Sequence, residues 1–283
     1  LYNEDLIIRK KIVSKLQLSN LKAHLYRQIL ISLRLNPQHR NVKLHIRGQL
    51  DFATILYQKG LYKQSLKILD KAKSFALKYD ENASAYEIVE FEKLIESLYV
   101  TRSLSNRTQE LTTQTNHLRE QNEIYSSLSN ISLQLYEKLI KAGYAKSDKE
   151  SKEIKKFFDQ KIKNFKLKEL GFRETLIYYQ IWVWYSLLTQ DFLSSYKYAS
   201  KWIDTFDKMP EMISIHPVFY LKGYNFLLEA LALIKYPSKF KNRLNNLINV
   251  VESKTFPKNQ NLNALIFIYK YNNLFNLFIL EGE

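Results

Sequence analysis

The most constraining stretch of this sequence is residues 52–76, where two apolar faces with helical spacing flank a single glycine, Gly60. The face before the glycine is formed by Phe52, Ile55 and Leu56. The face after it is formed by Leu61, Tyr62, Leu66, Leu69 and Ala72. Side chains three or four residues apart share one face of an α-helix. The stretch therefore predicts a helix, a tight turn and a second helix.

Few residues in this chain interrupt helices. It has six Gly and five Pro in 283 residues, and each Pro lies between runs with helical apolar spacing. We find no alternating run with the turn residues that a β-hairpin requires. The sequence therefore predicts an all-α protein. Helices are expected at about 3–17, 42–59, 62–79, 173–189, 192–207, 217–235 and 260–280.

Several local features sharpen this prediction. Ser19 or Asn20 is expected to cap a further helix, which carries Leu21 to Leu33 and stops before Asn36, because a short side-chain oxygen accepts from free backbone N–H groups. Gly48 lies inside a predicted helix, where close packing on a neighbouring helix or a tolerant surface would explain it. Residues 83–141 contain neither Pro nor Gly, yet their apolar pattern thins in the middle. We expect a long helical pair there, projecting beyond the body, with a break within residues 113–122.

The chain is expected to have three segments. Residues 1–82 form basic helices with the clearest hairpin, residues 83–145 form the long helical pair, and residues 146–283 form further helices. The net charge is +15, and residues 1–80 carry 16 Lys and Arg against 5 Asp and Glu. Such a field attracts nucleic acid, anionic lipid or an acidic protein, although a Lys-rich genomic composition also produces it. The candidate partner-binding residues are Arg27, Arg34, Arg40, Arg47, Lys63, Lys67 and Lys71.

Two Lys-rich helices each allow two interpretations. Lys63, Lys67 and Lys71 are four residues apart and form one cationic ridge, which is either a binding surface or a solvated outer face. Residues 146–170 interleave Lys with aromatic residues, as nucleic-acid-binding and membrane-surface helices do. The aromatic residues recur at helical spacing, which favours a buried face.

The sequence contains no convincing catalytic or metal-binding pattern. It has no Cys, its five His residues lack the spacing of zinc-binding helices, and no Gly-rich phosphate loop is present. The grouped carboxylates are expected on exposed helix positions, where they balance Lys and Arg: Glu87, Glu90, Glu92, Glu120 and Glu123. We therefore expect a protein that is not an enzyme and needs no cofactor.

A cytoplasmic location is the expectation for this chain. The absence of Cys fits a reducing compartment. No signal peptide or membrane span is visible, because charged residues interrupt the apolar windows, including residues 219–236. Both ends of the sequence look cut, since it opens on Leu1 and closes in the middle of an apolar pattern.

The hairpin at residues 52–76 resembles the tetratricopeptide repeat. The residues that match its pattern are Phe52, Ala53, Gly60, Tyr62, Ser65, Leu69 and Ala72. Leu77 stands where the repeat has a closing Pro. A weaker match runs from Trp182 to Trp202, and residues 274–282 match the first half of a unit. The wider chain resembles a group of uncharacterised bacterial helical-repeat proteins through the sequence Leu-Tyr-Arg-Gln-Ile-Leu-Ile-Ser-Leu-Arg at residues 25–34.

This resemblance implies an irregular tetratricopeptide-like α-solenoid of about 12 antiparallel helices. It also implies a non-enzymatic scaffold or adaptor that binds a protein or peptide in a groove. Exposed aromatic residues on one side would support that function. The alternative is a nucleic-acid-binding or regulatory protein that uses the basic N-terminal third.

Overall fold

A computed structural model describes residues 14–35, 41–98 and 106–282 of the chain. Within these residues it contains twelve α-helices, the short 3-10 helix Leu167–Glu169 and no strand, which confirms the predicted all-α fold. The helices are α1 (Lys15–Leu35), α2 (Val42–Gln58), α3 (Tyr62–Lys78), α4 (Asn82–Leu98), α5 (Arg107–Ala142), α6 (Asp148–Ile162), α7 (Phe172–Leu188), α8 (Phe192–Lys208), α9 (Met212–Ile215), α10 (Pro217–Leu233), α11 (Pro237–Glu252) and α12 (Gln260–Glu281).

The chain divides into two compact units within α5. Unit 1 is Leu1–Leu111 and unit 2 is Thr112–Glu283. In unit 1, α2 packs on α3 and α4, and α3 packs on α4. In unit 2, the same relation joins α7, α8 and α10, and then α10, α11 and α12. Packing of each helix on the next and the next but one is that of a helical-repeat, solenoid-like fold.

One turn geometry joins the helices of four hairpins. A residue with left-handed backbone stands at each turn, and the next helix begins two residues later. These residues are Gly60 (φ 75°), Asp80 (φ 56°), Gln190 (φ 57°) and Lys235 (φ 54°). The residue after each one donates its N–H to the carbonyl five positions earlier, at 2.8–3.1 Å. This is a Schellman turn, which satisfies the last carbonyls of a helix. Helix positions can therefore be compared by their distance from the turn.

The predicted core face of α2 is wrong in part. Phe52 and Ile55 are 55% and 53% exposed, whereas Ile46 and Ala53 are fully buried. The Ser65 hydroxyl of α3 donates to the Ala53 carbonyl at 2.8 Å. Because both residues are small, the two helix backbones approach closely at this point, and the core face is centred on Ala53.

Two predicted boundaries are also wrong, and the structure decides between the two explanations for Gly48. Residues 19 and 20 lie inside α1, so neither caps a helix. The α5 helix continues through residues 113–122, where Thr115 is buried between Leu111 and Leu118 and completes a seam with spacing of three and four residues. An added Cβ at Gly48 would meet nothing within 4 Å, which leaves the tolerant surface as the explanation.

The aromatic residues of α6 form part of the core, as their spacing predicts. Phe158 is buried and stacks on Tyr185 at 4.0 Å between ring centroids, with Trp182 at 4.5 Å edge-on. The lysines around them are exposed: Lys152, Lys155, Lys156, Lys161, Lys163, Lys166 and Lys168. Among the described residues, no helix has the combined length and apolar character needed to cross a bilayer.

A buried ion cluster joins α3, α4 and the first turn of α5 in unit 1. The Lys73 ammonium donates to the Glu92 carboxylate at 2.6 Å, and the Arg107 guanidinium lies 3.3 Å from the same oxygen. Arg107 also lies within 4 Å of Asp70, Glu96 and Glu110. Since these groups come from three helices, the cluster fixes where α5 begins relative to α3 and α4.

Glu92 is the centre of this cluster and corrects a prediction. Its side chain is fully buried, although the sequence pattern suggested an exposed carboxylate. Burial raises the pKa of Glu92 to about 7, even though Lys73 acts in the opposite direction. Its neighbour Glu90 does follow the prediction, because it forms a partly exposed ion pair with Lys93.

Two glycines should respond in opposite directions to the same substitution. Gly48→Ala should raise the free energy of unfolding by about 1 kcal/mol, because Ala favours the helix and meets no neighbour. Gly223→Ala should lower it by about 1–3 kcal/mol, because the new Cβ would lie 3.0 Å from the buried side chains Trp202 and Ile203. Circular dichroism during urea unfolding measures both, and equal shifts would contradict the packing.

The stability of unit 1 should fall as pH rises from about 4.5 to about 7. In this range folded Glu92 keeps a proton that the unfolded chain releases. A rise in pH therefore favours unfolding, and the free energy of unfolding falls by up to about 3 kcal/mol in total. Glu92→Gln should remove this component, and Glu90→Gln should leave it. Hydrogen exchange of α3 and α4 amides measures it, and identical pH profiles for wild type and Glu92→Gln would contradict it.

Candidate functional site

A concave groove in unit 2 is the candidate site. It has a volume of about 550 Å³, within the range of ligand-binding clefts, and is formed by α5, α7, α10 and α12. Its lining residues are Tyr125, Ser129, Ser132, Leu133 and Tyr136 of α5, Ile177, Gln180 and Trp184 of α7, Phe219, Lys222, Asn225 and Phe226 of α10, and Tyr269 of α12.

Three of these helices present equivalent positions to the groove. Ile177, Lys222 and Tyr269 each lie thirteen residues before a left-handed residue, namely Gln190, Lys235 and Gly282. Gln180 and Asn225 each lie ten residues before the same turns. The groove is therefore the inner surface that stacking of similar hairpins produces, with different side chains at repeated positions.

Aromatic rings form one wall of the groove across three helices. The Tyr136 ring lies 5.2 Å from Trp184, and Trp184 lies 4.8 Å from Phe226 in an edge-on arrangement. At the rim, Leu133 and Tyr136 are 65% and 44% exposed. Exposed apolar side chains in a concave surface are typical of a binding site for another apolar group.

A buried amide holds the polar part of the groove in place. Asn273, which is 1% exposed, donates its side-chain N–H groups to the Asn225 side-chain oxygen at 3.1 Å and to the Tyr269 carbonyl at 2.8 Å. These bonds fix the orientation of the Asn225 amide. Lys222, one turn away, is exposed and gives the described lining its single charge.

A half-buried carboxylate continues the inner face of α10 one turn beyond Asn225. Burial raises the pKa of this group, Glu229. It stands six residues before the turn, as Trp184 does in α7. The inner face therefore offers aromatic rings, amides, hydroxyls, one carboxylate and one cation. In the part of the chain that the structure describes, no group of three His, Asp or Glu residues could hold a metal ion.

Six of the seven basic residues predicted to bind a partner lie on three helices of unit 1. Lys63, Lys67 and Lys71 are exposed on successive turns of α3, which confirms their common ridge. Arg27 is exposed on α1. The Arg34 guanidinium of α1 pairs with Asp51 of α2, so its charge is partly balanced.

Of the two remaining arginines, Arg47 lies within the described residues and Arg40 does not. Arg47 is exposed on α2, thirteen residues before Gly60, the register at which Ile177, Lys222 and Tyr269 line the groove of unit 2. Arg40 lies outside the described residues. Partner binding by the seven basic residues stays a prediction.

The groove residues were missed at the level of sequence, although a signal was present. The weak match from Trp182 to Trp202 identified the hairpin but not which of its faces is open. Counting back from the turns to Trp184 and Asn225 would have indicated the inner face, once those turns were known. The predicted helix ends lay close to these turns, but the left-handed residues Gln190 and Lys235 were not predicted, because neither residue type is a typical marker of left-handed backbone.

Comparisons of the chain with protein-family models, curated proteins and solved structures find no significant match. The resemblance to the tetratricopeptide repeat therefore stays a prediction. The function has to be argued from the groove of unit 2 and from the charge of unit 1.

Proposed function

We propose that this protein is a non-enzymatic scaffold that binds a peptide or protein segment in the groove of unit 2. The observation that carries the proposal is the aromatic wall formed by Tyr136, Trp184 and Phe226, set in a concave surface of about 550 Å³. Aromatic side chains give large contact areas at a low entropic cost, and they dominate the binding energy of many protein interfaces.

The polar residues of the groove suit a polypeptide ligand. A peptide backbone offers one donor and one acceptor per residue, and each loses water when the peptide binds. Gln180 and Asn225 provide side-chain amides at equivalent positions of adjacent helices, and Asn225 is already oriented by Asn273. Rigid helices and an oriented amide reduce the ordering cost of binding.

A cytoplasmic location belongs to the same proposal, because the chain has no Cys and would lose nothing in a reducing compartment. The absence of an enzymatic role is proposed on the chemistry of the lining. Aromatic, amide and hydroxyl groups recognise a ligand, and the described lining contains neither a His nor a carboxylate beside Lys222.

Nucleic-acid binding through unit 1 is the second candidate function. It is favoured by the exposed ridge of Lys63, Lys67 and Lys71, for which no acidic partner is found among the described residues. Lysines on successive helical turns lie about 6 Å apart, which is close to the spacing of phosphates along an extended strand. Such contacts would position a backbone without reading its sequence.

Peptide binding should depend on the rim of the groove. Peptides selected from a random displayed library on wild type should lose at least about 10-fold in affinity to Leu133→Glu, because the new carboxylate must lose water against the aromatic wall. Leu193→Glu changes a leucine of similar exposure, 69% against 65%, outside the groove and should bind as wild type does. Calorimetry measures the affinities.

The same experiment has a spectroscopic readout. Trp184 lines the groove, and all three Trp residues lie in unit 2, so a bound peptide should change the intrinsic fluorescence. Selection that yields no peptide, or peptides that bind Leu133→Glu and wild type equally, would overturn the proposal.

Nucleic-acid binding, if the ridge supports it, should be strongly dependent on salt. Reversal of Lys63, Lys67 and Lys71 to Glu should abolish retention of single-stranded DNA or RNA at 50 mM salt. For wild type, the slope of log affinity against log salt should be about −2 or steeper, as three phosphate contacts require. The control is a variant of the same net charge, in which Lys152, Lys155 and Lys156 on α6 are changed to Glu. No retention by wild type at low salt would exclude this function.

A further inference from the structure

The inner face of α10 carries a strip of three side chains with opposite charges at its two ends. Lys222, Phe226 and Glu229 follow one another at intervals of four and three residues, so they share one side of the helix. Lys222 and Phe226 line the groove, and Glu229 continues their face by one turn. The strip therefore has a cation at one end, a ring in the middle and a carboxylate at the other end.

The position of Glu229 in its hairpin places it at the groove. Glu229 lies six residues before the left-handed Lys235, and Trp184 of α7 lies six residues before the left-handed Gln190. At thirteen and at ten residues before these turns, the side chains of α7 and α10 both line the groove. Glu229 therefore occupies the register at which α7 presents Trp184 to the groove, and it lies one turn from the aromatic wall.

Neither charged group of the strip has an ionic partner among the residues that the structure describes. Lys222 is exposed and makes no hydrogen bond or ion pair there. Glu229 is half-buried and is also without a hydrogen bond or a neighbouring cation, and burial alone raises its pKa. By contrast, Lys270 and Glu281 of α12 both pair with charged side chains of α11. A half-buried carboxylate that lacks a cation is an unfavourable arrangement, which a cationic group of a ligand would relieve.

The separation of the two charges sets the spacing that a ligand must match. Seven residues of helix correspond to about 10 Å between Lys222 and Glu229 along the axis. A peptide in the polyproline II conformation has three residues per turn and rises about 3.1 Å per residue. Side chains three residues apart in such a peptide therefore share one side and lie about 9 Å apart. A basic side chain that reaches Glu229 would also pass Phe226, where a cation is attracted to the ring.

We propose that the groove of unit 2 binds peptide segments that carry one acidic and one basic side chain three residues apart. The acidic side chain pairs with Lys222, and the basic side chain pairs with Glu229. This charge pattern rests on the peptide-binding function proposed above and adds the chemical class of the peptide. The residues between the two charges contact the aromatic wall.

Peptides selected on wild type from a random displayed library test the charge pattern. They should be enriched in an acidic and a basic residue three positions apart. In such a peptide, replacement of the basic residue by Met should lower the affinity for wild type by about 10-fold. The same replacement should lower the affinity for Glu229→Gln by less than about 2-fold, because the partner charge is already absent. Calorimetry measures the four affinities of this cycle.

Lys222→Gln is the matched control, because it removes the other charge of the strip from the same helix. It should keep the dependence on the basic residue of the peptide and lose the dependence on the acidic one. Glu252→Gln removes a carboxylate of α11 outside the groove lining and should bind as wild type does. The urea midpoint of Glu229→Gln should not fall below that of wild type, since an unpaired half-buried charge is removed. Lost binding by this variant would then not reflect lost folding.

Two results would overturn the charge pattern and leave peptide binding in place. One is a set of selected peptides without the two charges, and the other is an equal cost of the Met replacement on wild type and Glu229→Gln. In both cases Leu133→Glu would still weaken the same peptides, as the proposed function requires. A selection that yields no peptide would overturn the charge pattern and the proposed function together.

Discussion

The packing of unit 2 depends on helices that are apolar around most of their circumference. In α7, buried positions such as Leu176, Ile177, Tyr179 and Ile181 point in different directions around the helix. A helix of this kind is stable only when neighbours cover it on more than one side. Its neighbours α6, α8 and α10 do so. The stack therefore follows from burial. In the described part of unit 2, the groove is lined by sides of α7, α10 and α12 that these neighbours leave open.

Unit 1 reaches the same architecture with a different balance of forces. The interior of unit 1 contains the charged side chains of Lys73, Glu92 and Arg107, whereas the interior of unit 2 contains packed aromatic rings such as Trp202 and Phe226. Burial of these charges costs free energy that their mutual attraction only partly offsets. The cluster therefore contributes mainly to the specificity of helix packing. The ion pairs require α3, α4 and α5 to bring Lys73, Glu92 and Arg107 together. The cluster specifies packing that apolar contacts alone would leave less defined.

Much of the fold could be predicted from the sequence, because helices and their ends are local properties. The hairpin around Gly60 and the helix beginning at Pro217 both follow from apolar spacing and turn residues. The core face of α2 could not be predicted, since Phe52 is more apolar than Ala53 and yet is exposed. Close approach of two backbones selects the small residue, and that is a property of the pair of helices.

The candidate site was less predictable than the fold for a related reason. Trp184 and Trp202 are the same residue type in two predicted helices. However, Trp202 is fully buried between α8 and α10, whereas Trp184 borders the groove. Glu92 and Glu90 look equivalent on α4, but Glu92 is buried and Glu90 is partly exposed. In each pair, the two residues differ in whether a neighbouring helix covers the side chain. Periodicity gives the face of a residue but not what lies opposite it.

The two surfaces that could carry function are governed by different forces. The groove offers aromatic rings and oriented amides, and binding there would gain free energy from burial, which depends weakly on salt. The α3 ridge offers point charges, and binding there would gain free energy from counterion release, which depends strongly on salt. The residues of the groove lie in unit 2 and those of the ridge in unit 1. A change in one surface therefore need not alter the chemistry of the other, and salt dependence alone separates the two modes of binding.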